Sequence, residues 1–409
     1  MFLQSLPMVF ILAGLALYIA LAGADLGAGF WQLATARAQD ARGVREFAHR
    51  AMGPVWEANH VWLIFVLTVL WTSYPKAFGS IMSTLAVPLF IALLGIVARG
   101  ASYALREGAA SPRESGRIDT IFAGSSILLP FALGTAVGAI ATNRVPVGNA
   151  AGDMWSSWLN GTSIMIGLLA VATSAHLAAV YLAADAAHDG QKTLERSFRM
   201  RALASGVVAG IIAIAGVIVL NDDDHSLFHS LLSGRALAAV IVSALAGFAA
   251  LVLVYRRRYE PARYATALAA AAIIAGWALS RWPTILPGLT VYRAAADHDT
   301  LVCVVVAVLG GAVILFPSLV VLFRLTLGGR FRGSELRVLE TQRIHRSATV
   351  NAGRLARVAL ACLIAGFGLL NIANAGWAHA VGVACLIAFV LVAFAAIVIP
   401  ALDEQVATR

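Results

Sequence analysis

Residues 7–33 read PMVFILAGLALYIALAGADLGAGFWQL, an apolar run that contains one charged residue, Asp25. At a rise of 1.5 Å per residue, about twenty such residues cross the ~30 Å hydrocarbon core of a bilayer as a helix. The run lacks the basic start and the short apolar region of a cleaved signal peptide. It therefore predicts a first membrane-spanning helix.

The rest of the chain repeats this apolar character. Hydrophobic residues make up 60% of the 409 residues and charged residues only 12%, with a mean hydropathy of +0.83. These values lie well beyond those of a soluble domain. We therefore expect an all-α, polytopic membrane helix bundle. Its eleven predicted spans are 7–33, 54–73, 78–99, 118–142, 161–186, 202–221, 236–255, 264–283, 299–325, 356–374 and 377–400.

Basic residues indicate how these helices are oriented. Short cytoplasmic loops of membrane proteins retain Lys and Arg, and most of the 30 Lys and Arg lie in every second gap between predicted spans. One of the other gaps holds the acidic run 222–224. The alternation predicts an N-terminus outside and a C-terminus inside. It also accounts for the net charge of +9, so a nucleic-acid partner is not expected.

The longest gap between apolar runs suggests one boundary. We expect a nine-helix core over 1–326, a basic cytoplasmic linker over 327–355, and two additional transmembrane helices with a short tail over 356–409. Ionisable residues of the last two helices lie only near their ends. We therefore expect no chemistry in them.

Charged residues inside the predicted spans point to function, and we single out Asp25, Glu57 and Arg99. A charge at the bilayer centre costs about 2.5–3.5 kcal/mol on insertion scales, so it is usually paired or functional. Asp25 lies in GADLGAG, residues 23–29, whose glycines allow another helix or a cofactor to approach the backbone closely. Asp25 is expected to contact protein, as a functional acid or as a structural residue that pairs helices.

Polar residues surround Glu57 at the start of the second predicted helix. Residues 53–62 read GPVWEANHVW, which combines an acid, an amide, an imidazole and two indoles. We expect Asn59 and His60 to support the acid by hydrogen bonding, and disfavour His60 as a haem ligand. The indoles of Trp56 and Trp62 can stack on a bound cofactor or pack in the core, and we favour packing.

The two acids are predicted to lie on the same side of the membrane. The topology places Asp25 in the cytoplasmic half of a helix that runs inward, and Glu57 at the cytoplasmic start of a helix that runs outward. Their depths are similar at 1.5 Å per residue. Two such carboxylates suit proton entry from the cytoplasm.

The cysteines and histidines, which could bind a metal ion or haem, follow no recognisable ligand pattern. The three cysteines lack the CxxC and Cys/His spacings of zinc, redox or covalent haem sites. The nine histidines form no evident axial set, and His225 and His229 fall near a loop. We expect no metal site, and no haem bound by this chain alone.

The chain resembles cytochrome bd oxidase subunit II. The resemblance is carried by GADLGAG at 23–29, GPVWEANHVWL at 53–63, YPKAF at 74–78 and Arg99, which occur in the order typical of that family. It extends over about residues 1–326 and is most specific over the first hundred.

The resemblance implies a heterodimer in a bacterial cytoplasmic membrane. Subunit I of the family binds b-type and d-type haems, and the complex oxidises quinol and reduces dioxygen to water. Subunit II stabilises the haem subunit and lines a cytoplasmic proton path. That role would fall to Asp25 and Glu57, supported by Asn59, His60 and Arg99. Quinone and membrane lipids are further expected partners, and quinone is the cofactor that Trp56 and Trp62 would stack on if they do not pack in the core.

The two C-terminal helices depart from the family's nine-helix pattern. We expect them to replace a small accessory subunit. Two rival functions remain at this point: a proton-coupled membrane transporter that uses the same charged residues, and a divergent scaffold paralogue without oxidase activity. The Gly and Pro interruptions do not occur in matched halves as they do in many transporters.

Overall fold

The computed structural model describes residues 1–35, 43, 47, 56–106, 111–327, 349–372, 377–378 and 380–392. The chain divides into two units, Met1–Gly310 and Gly311–Arg409. The elements that begin in the first unit are α1 Phe2–Ala34, α2 Trp56–Ser73, α3 Pro75–Thr84, α4 Ala86–Arg106, α5 Pro112–Ala141, α6 Gly161–His188, α7 Lys192–Asp223, α8 His225–Leu231, α9 Gly234–Tyr255, α10 Tyr259–Arg281, β1 Thr284–Leu286, β2 Leu289–Thr290, α11 Val291–Ala294 and α12 His298–Leu327.

The structure confirms a bundle of membrane-spanning helices. Among the described residues, eight helices are long and apolar enough to cross a bilayer. The other three predicted spans contain the shorter apolar helices Asn59–Ser73, Arg357–Gly366 and Ala380–Val392. The chain is therefore a multi-pass membrane protein, while the count of eleven and the orientation stay predictions.

One predicted span is wrong in its boundaries. The segment predicted as a single helix over 78–99 consists of α3 and α4, which are separated at Leu85. Pro88 explains the break, since its ring clashes with the carbonyl of the residue four positions earlier and it has no N–H to donate. The chain accommodates Pro88 by starting a new helix at Ala86, so that Pro88 lies in its first turn.

A short β-hairpin follows α10. β1 and β2 pair antiparallel, with Leu286 opposite Leu289. Pro287 and Gly288 form the turn between them, and Gly288 has φ +74°. A turn with Pro followed by a residue of positive φ favours this Pro-Gly sequence.

The centre of the first unit consists of α1, α5 and α6, which contact one another. In the apolar parts of α5 and α6, 56% of the residues are buried within the protein, compared with 11% in α7. α7 therefore lies at the perimeter, where its apolar side chains suit lipid or another membrane protein.

Ion pairs show which helix ends lie together. Asp185 near the end of α6 pairs with Arg263 near the start of α10. At the other end of α10, Arg281 pairs with Asp224, which follows α7, and donates to the carbonyl of Ala141 at the end of α5 at 2.8 Å. α10 therefore runs parallel to α5 and antiparallel to α6. The two ends of the bundle are distinct.

The second unit contains α13 Thr349–Ile372 and α14 Ala380–Val392. A Cβ added at Gly366 would lie 2.8 Å from a methyl carbon of Leu386 and 3.0 Å from the carbonyl oxygen of Gly382. α13 and α14 therefore pack closely at Gly366. Most of the predicted linker over 327–355 lies outside the described residues, and that boundary stays a prediction.

Candidate functional site

Three glycines of α1 bring this helix against its neighbours. A Cβ at Gly27 would collide with the backbone carbonyl of Ser174 on α6, and a Cβ at Gly29 would collide with the side chain of Ser126 on α5. A Cβ at Gly23 would lie 3.0 Å from Leu177 on α6. The close approach that these glycines predicted is thus the approach of two helices.

Asp25 lies inside this tightly packed region and forms an ion pair with Arg99 of α4. Each of the two side chains is only 2% exposed. The Arg99 guanidinium donates to Asp25 Oδ1 and also to the Asp25 carbonyl oxygen, at 3.2 Å. Burying two charges is expensive unless they are paired and hydrogen-bonded. The ion pair meets this requirement at Asp25 Oδ1, while Asp25 Oδ2 and Arg99 Nε have no hydrogen-bond partner among the described residues.

Residues of α5 complete the surroundings of Arg99. Its guanidinium donates a second hydrogen bond to the Ser126 hydroxyl, which in turn donates to the Phe122 carbonyl at 2.6 Å. The guanidinium carbon also lies 4.3 Å from the centre of the Phe122 ring, a cation–π contact. Arg99 therefore links α1, α4 and α5 at one point in the bundle.

One face of α1 continues the polar region away from the ion pair. Tyr18 lies seven residues before Asp25, two turns or about 10 Å along the same face of the helix. The Tyr18 hydroxyl and Asp25 Oδ2 are both buried, and neither has a hydrogen-bond partner in the described part of the chain. Two buried polar atoms of this kind suit ordered water between them.

Helix α2 carries Asn59 and His60, whose predicted role in supporting Glu57 stays a prediction. The Asn59 side chain is buried and donates to the carbonyl of Leu21 on α1 at 3.3 Å. The ring of His60 lies 6.2 Å from the ring of Tyr18, measured between centres. The structure therefore places Asn59 and His60 against the helix that carries Asp25.

The remaining predicted residues are placed only in part. Glu57 and Trp56 lie in the first turn of α2, but their side chains lie outside the described residues. Trp62 is half-buried and packs edge-on against Phe65, with 6.2 Å between ring centres. The roles of all three stay predictions.

Sequence reasoning missed two kinds of residue. Tyr18 and Ser126 were not singled out, although a tyrosine two turns from a buried acid, in an otherwise apolar helix, is a usable signal. Asp185 and Arg281 also lie inside predicted spans and form ion pairs at the ends of the bundle.

Within the described ranges, no group of three or more metal-ligating side chains occurs.

These features define a class of protein. The chain is a helical membrane protein that holds a carboxylate and a guanidinium inside its bundle. Ionisable residues in such positions usually line paths for protons, ions or substrates. A profile of the family "Cytochrome bd terminal oxidase subunit II" matches residues 3–326. The chain belongs to this family.

Two relatives and one solved structure agree with the assignment. "Cytochrome bd ubiquinol oxidase subunit 2" of Bacillus subtilis (strain 168) is 28% identical over 83 residues, which are 20% of this chain and 25% of that protein. "Putative cytochrome bd menaquinol oxidase subunit II" of the same organism is 22% identical over 237 residues, which are 57% of this chain and 67% of that protein. The aligned part thus spans about a quarter of the first relative and two thirds of the second.

The structural comparison concerns the fold. A chain of the bd oxidase from Geobacillus thermodenitrificans superposes with a TM-score of 0.63 at 24% identity. The superposition covers 80% of this chain and 99% of the other chain. The fold described above is therefore a bd oxidase fold.

Proposed function

We propose that the chain is the non-haem subunit of a cytochrome bd-type terminal oxidase in a bacterial cytoplasmic membrane. The complex would oxidise quinol and reduce dioxygen to water, with b-type and d-type haems in the partner subunit I. Membership of the subunit II family supports this proposal. Within the complex, this chain would stabilise the haem subunit and conduct protons, and its C-terminal helices would take the place of a small accessory subunit.

The buried carboxylate of Asp25 carries the proton part of the proposal. Reduction of dioxygen to water consumes protons as well as electrons, so a proton route must reach the haems through apolar protein. Asp25 Oδ2 is buried without a hydrogen-bond partner among the described residues, while Oδ1 is held by Arg99. One oxygen is thus fixed and the other is available to exchange a proton with ordered water. Glu57 would pass protons to it from the cytoplasmic side.

The same ion pair supports a second role for Asp25. Arg99 contacts α1 and α5 from its position on α4, so the pair joins three helices. Removal of one charge leaves the other buried and unpaired, which destabilises proteins strongly. We therefore expect the loss of Asp25 to lower assembly as well as proton delivery, and the two effects have to be measured separately.

The oxidase assignment is tested by the haem content of purified protein. The chain would be purified by an affinity tag, once after co-expression with a haem-subunit (subunit I) gene from the same genome and once alone. We expect dithionite-reduced spectra of b-type and d-type haems in the first preparation and none in the second. A full haem complement on the chain alone would contradict the proposal, and so would a co-purified partner without haem.

A further inference from the structure

Two histidines on α8 form a pair outside the region described above. His225 and His229 are four residues apart, so their side chains lie on one face of the helix. Their Nε2 atoms are 2.9 Å apart, and the ring centres are 4.4 Å apart. Both residues are exposed. We propose that this pair is a binding site for a divalent transition-metal ion such as Zn²⁺ or Cu²⁺, with water completing the coordination.

The distance between the two nitrogens fits shared coordination. Two imidazole nitrogens at ~2.0–2.1 Å from a tetrahedral metal ion are about 3.3 Å apart. The observed Nε2–Nε2 separation of 2.9 Å is slightly shorter than this. Small rotations of the two rings can make up the difference. Pairs of histidines at positions i and i+4 of a helix bind zinc in metalloproteases for the same geometric reason.

Hydrogen bonds orient one of the rings for this role. His225 Nδ1 lies 3.4 Å from the carbonyl oxygen of Asn221. When Nδ1 carries the proton and donates to this carbonyl, the Nε2 lone pair is directed away from it. Metal-ligating histidines usually make this kind of second hydrogen bond.

The proton between the two rings has a defined fate. Without a metal ion, and with His225 protonated at Nδ1, the 2.9 Å separation allows Nε2–H of His229 to donate to Nε2 of His225. When a metal ion binds both Nε2 atoms, the neutral His229 ring takes its proton at Nδ1 by exchange with water. No net proton is released, and no oxidant or reductant is required.

The helix that carries the pair is held in place at its start. The Asp224 side chain accepts a hydrogen bond from the Leu227 N–H at 2.9 Å and pairs with Arg281. Leu227 itself is 2% exposed. The two imidazoles therefore project from a fixed turn, which lowers the entropy lost when a metal ion binds.

Local charge also favours a cation. Residues 222–224 are three consecutive aspartates immediately before the helix. Asp223 and Asp224 pair with Arg144 and Arg281, while Asp222, three residues before His225, is exposed. A negative surface raises the local concentration of cations. Cys spacings and haem axial sets predict no metal site in this sequence, but neither pattern detects a two-histidine site.

Zinc binding to the intact complex tests the proposal. The complex would carry an affinity tag without histidines, and Zn²⁺ would be titrated by calorimetry into the wild type, His225→Gln, His229→Gln and the double variant. We expect each single variant to weaken one binding event by about tenfold or more, because the second ligand no longer acts at high effective concentration. The double variant should lose little more. His298→Gln is the matched control, since His298 is exposed on another segment and its side chain is 78% exposed.

Equal Zn²⁺ affinity in the wild type and His229→Gln would overturn the proposal, as would an equal loss in His298→Gln. A second measurement does not depend on variants. Electron paramagnetic resonance of one equivalent of Cu²⁺ bound to the wild type should show two coordinated imidazole nitrogens, and coordination by oxygen alone would also overturn it.

Discussion

The ion pair in the middle of the bundle and the ion pairs at its ends use the same chemical groups in different surroundings. Asp25 and Arg99 are each 2% exposed, whereas the side chains of Arg263 and Asp185 are 25% and 37% exposed. Water can solvate the end pair, so folding removes little of the hydration of its charges and costs little free energy. The central pair is removed from bulk water, and α5 supplies the hydroxyl and the ring that contact Arg99. A buried ion pair is weak evidence that the pair stabilises the fold. The burial of Asp25 and Arg99 therefore favours a functional reason for their presence.

The largest effect is expected when only one partner of the central pair is removed. Arg99→Met leaves the Asp25 carboxylate buried without its partner, and such changes cost about 3–5 kcal/mol. We expect a much lower yield of assembled complex and a lower thermal midpoint. Both would be measured on detergent-solubilised membranes.

The double variant Asp25→Asn with Arg99→Met sharpens this result. It removes both charges, so no unpaired charge stays buried, and assembly should recover in large part. If the double variant assembles as poorly as Arg99→Met, charge pairing is not what Arg99 contributes to assembly.

A smaller effect is expected from the packing that encloses the central pair. Gly27→Ala places a methyl group against the backbone of Ser174, which cannot move away as a side chain can. Overpacking of this kind costs about 1–3 kcal/mol. Gly210→Ala on the perimeter helix α7 is the matched control, because nothing lies within 4 Å of a Cβ there. Alanine is favoured over glycine in a helix, by roughly 0.5–1 kcal/mol.

Thermal midpoints of the two glycine variants in the assembled complex measure this difference. We expect Gly27→Ala to fall below the wild type, and Gly210→Ala to equal or exceed it. Similar midpoints for both variants would show that close packing of α1 on α6 is not required where Asp25 is buried.

The smallest effect is expected at the ends of the bundle. Arg263→Gln removes the partner of Asp185 where both side chains are partly solvated, and pairs of this kind contribute about 0.2–1 kcal/mol. Arg281→Gln should lower the free energy of unfolding more than Arg263→Gln does. The Arg281 side chain is only 16% exposed, and it also donates to the Ala141 carbonyl. A loss of stability in Arg263→Gln as large as that in Arg99→Met would contradict the expectation that the central ion pair matters more than the end pairs.

The sequence predicts some parts of this arrangement better than others. The spans follow from apolar length alone, and the glycines around Asp25 correctly predicted close helix contact. The division of the third span at Leu85 could have been predicted from Pro88, because proline interrupts helices. The apolar residues that follow Leu85 instead favoured one continuous span. The hairpin was also readable from Pro287 and Gly288.

The partner of Asp25 lay beyond prediction. Arg99 is separated from it by 74 residues, and nothing local to either residue shows that α4 would place the guanidinium beside α1. Arg99 also lies next to a basic loop, where it resembles a residue that only fixes orientation. The same limit applies to Ser126, a hydroxyl among many in apolar helices, whose role depends on which helix it faces.

The central claim is that Asp25 conducts protons in addition to joining helices. Asp25→Asn, Glu57→Gln and the double variant remove the titratable groups with little change of shape. Asp185→Asn serves as the control carboxylate from the end of the bundle. Because assembly is expected to fall in Asp25→Asn, the quantity to measure is quinol oxidase turnover per haem d in the complex that does assemble.

We expect each of the two single variants to lose most of its turnover per haem d. The double variant should lose little more, since residues of one chain of proton carriers act as a unit. Asp185→Asn should turn over as the wild type does. Wild-type turnover per haem d in both Asp25→Asn and Glu57→Gln would contradict the claim and leave Asp25 and Arg99 as an ion pair that only holds the helices together.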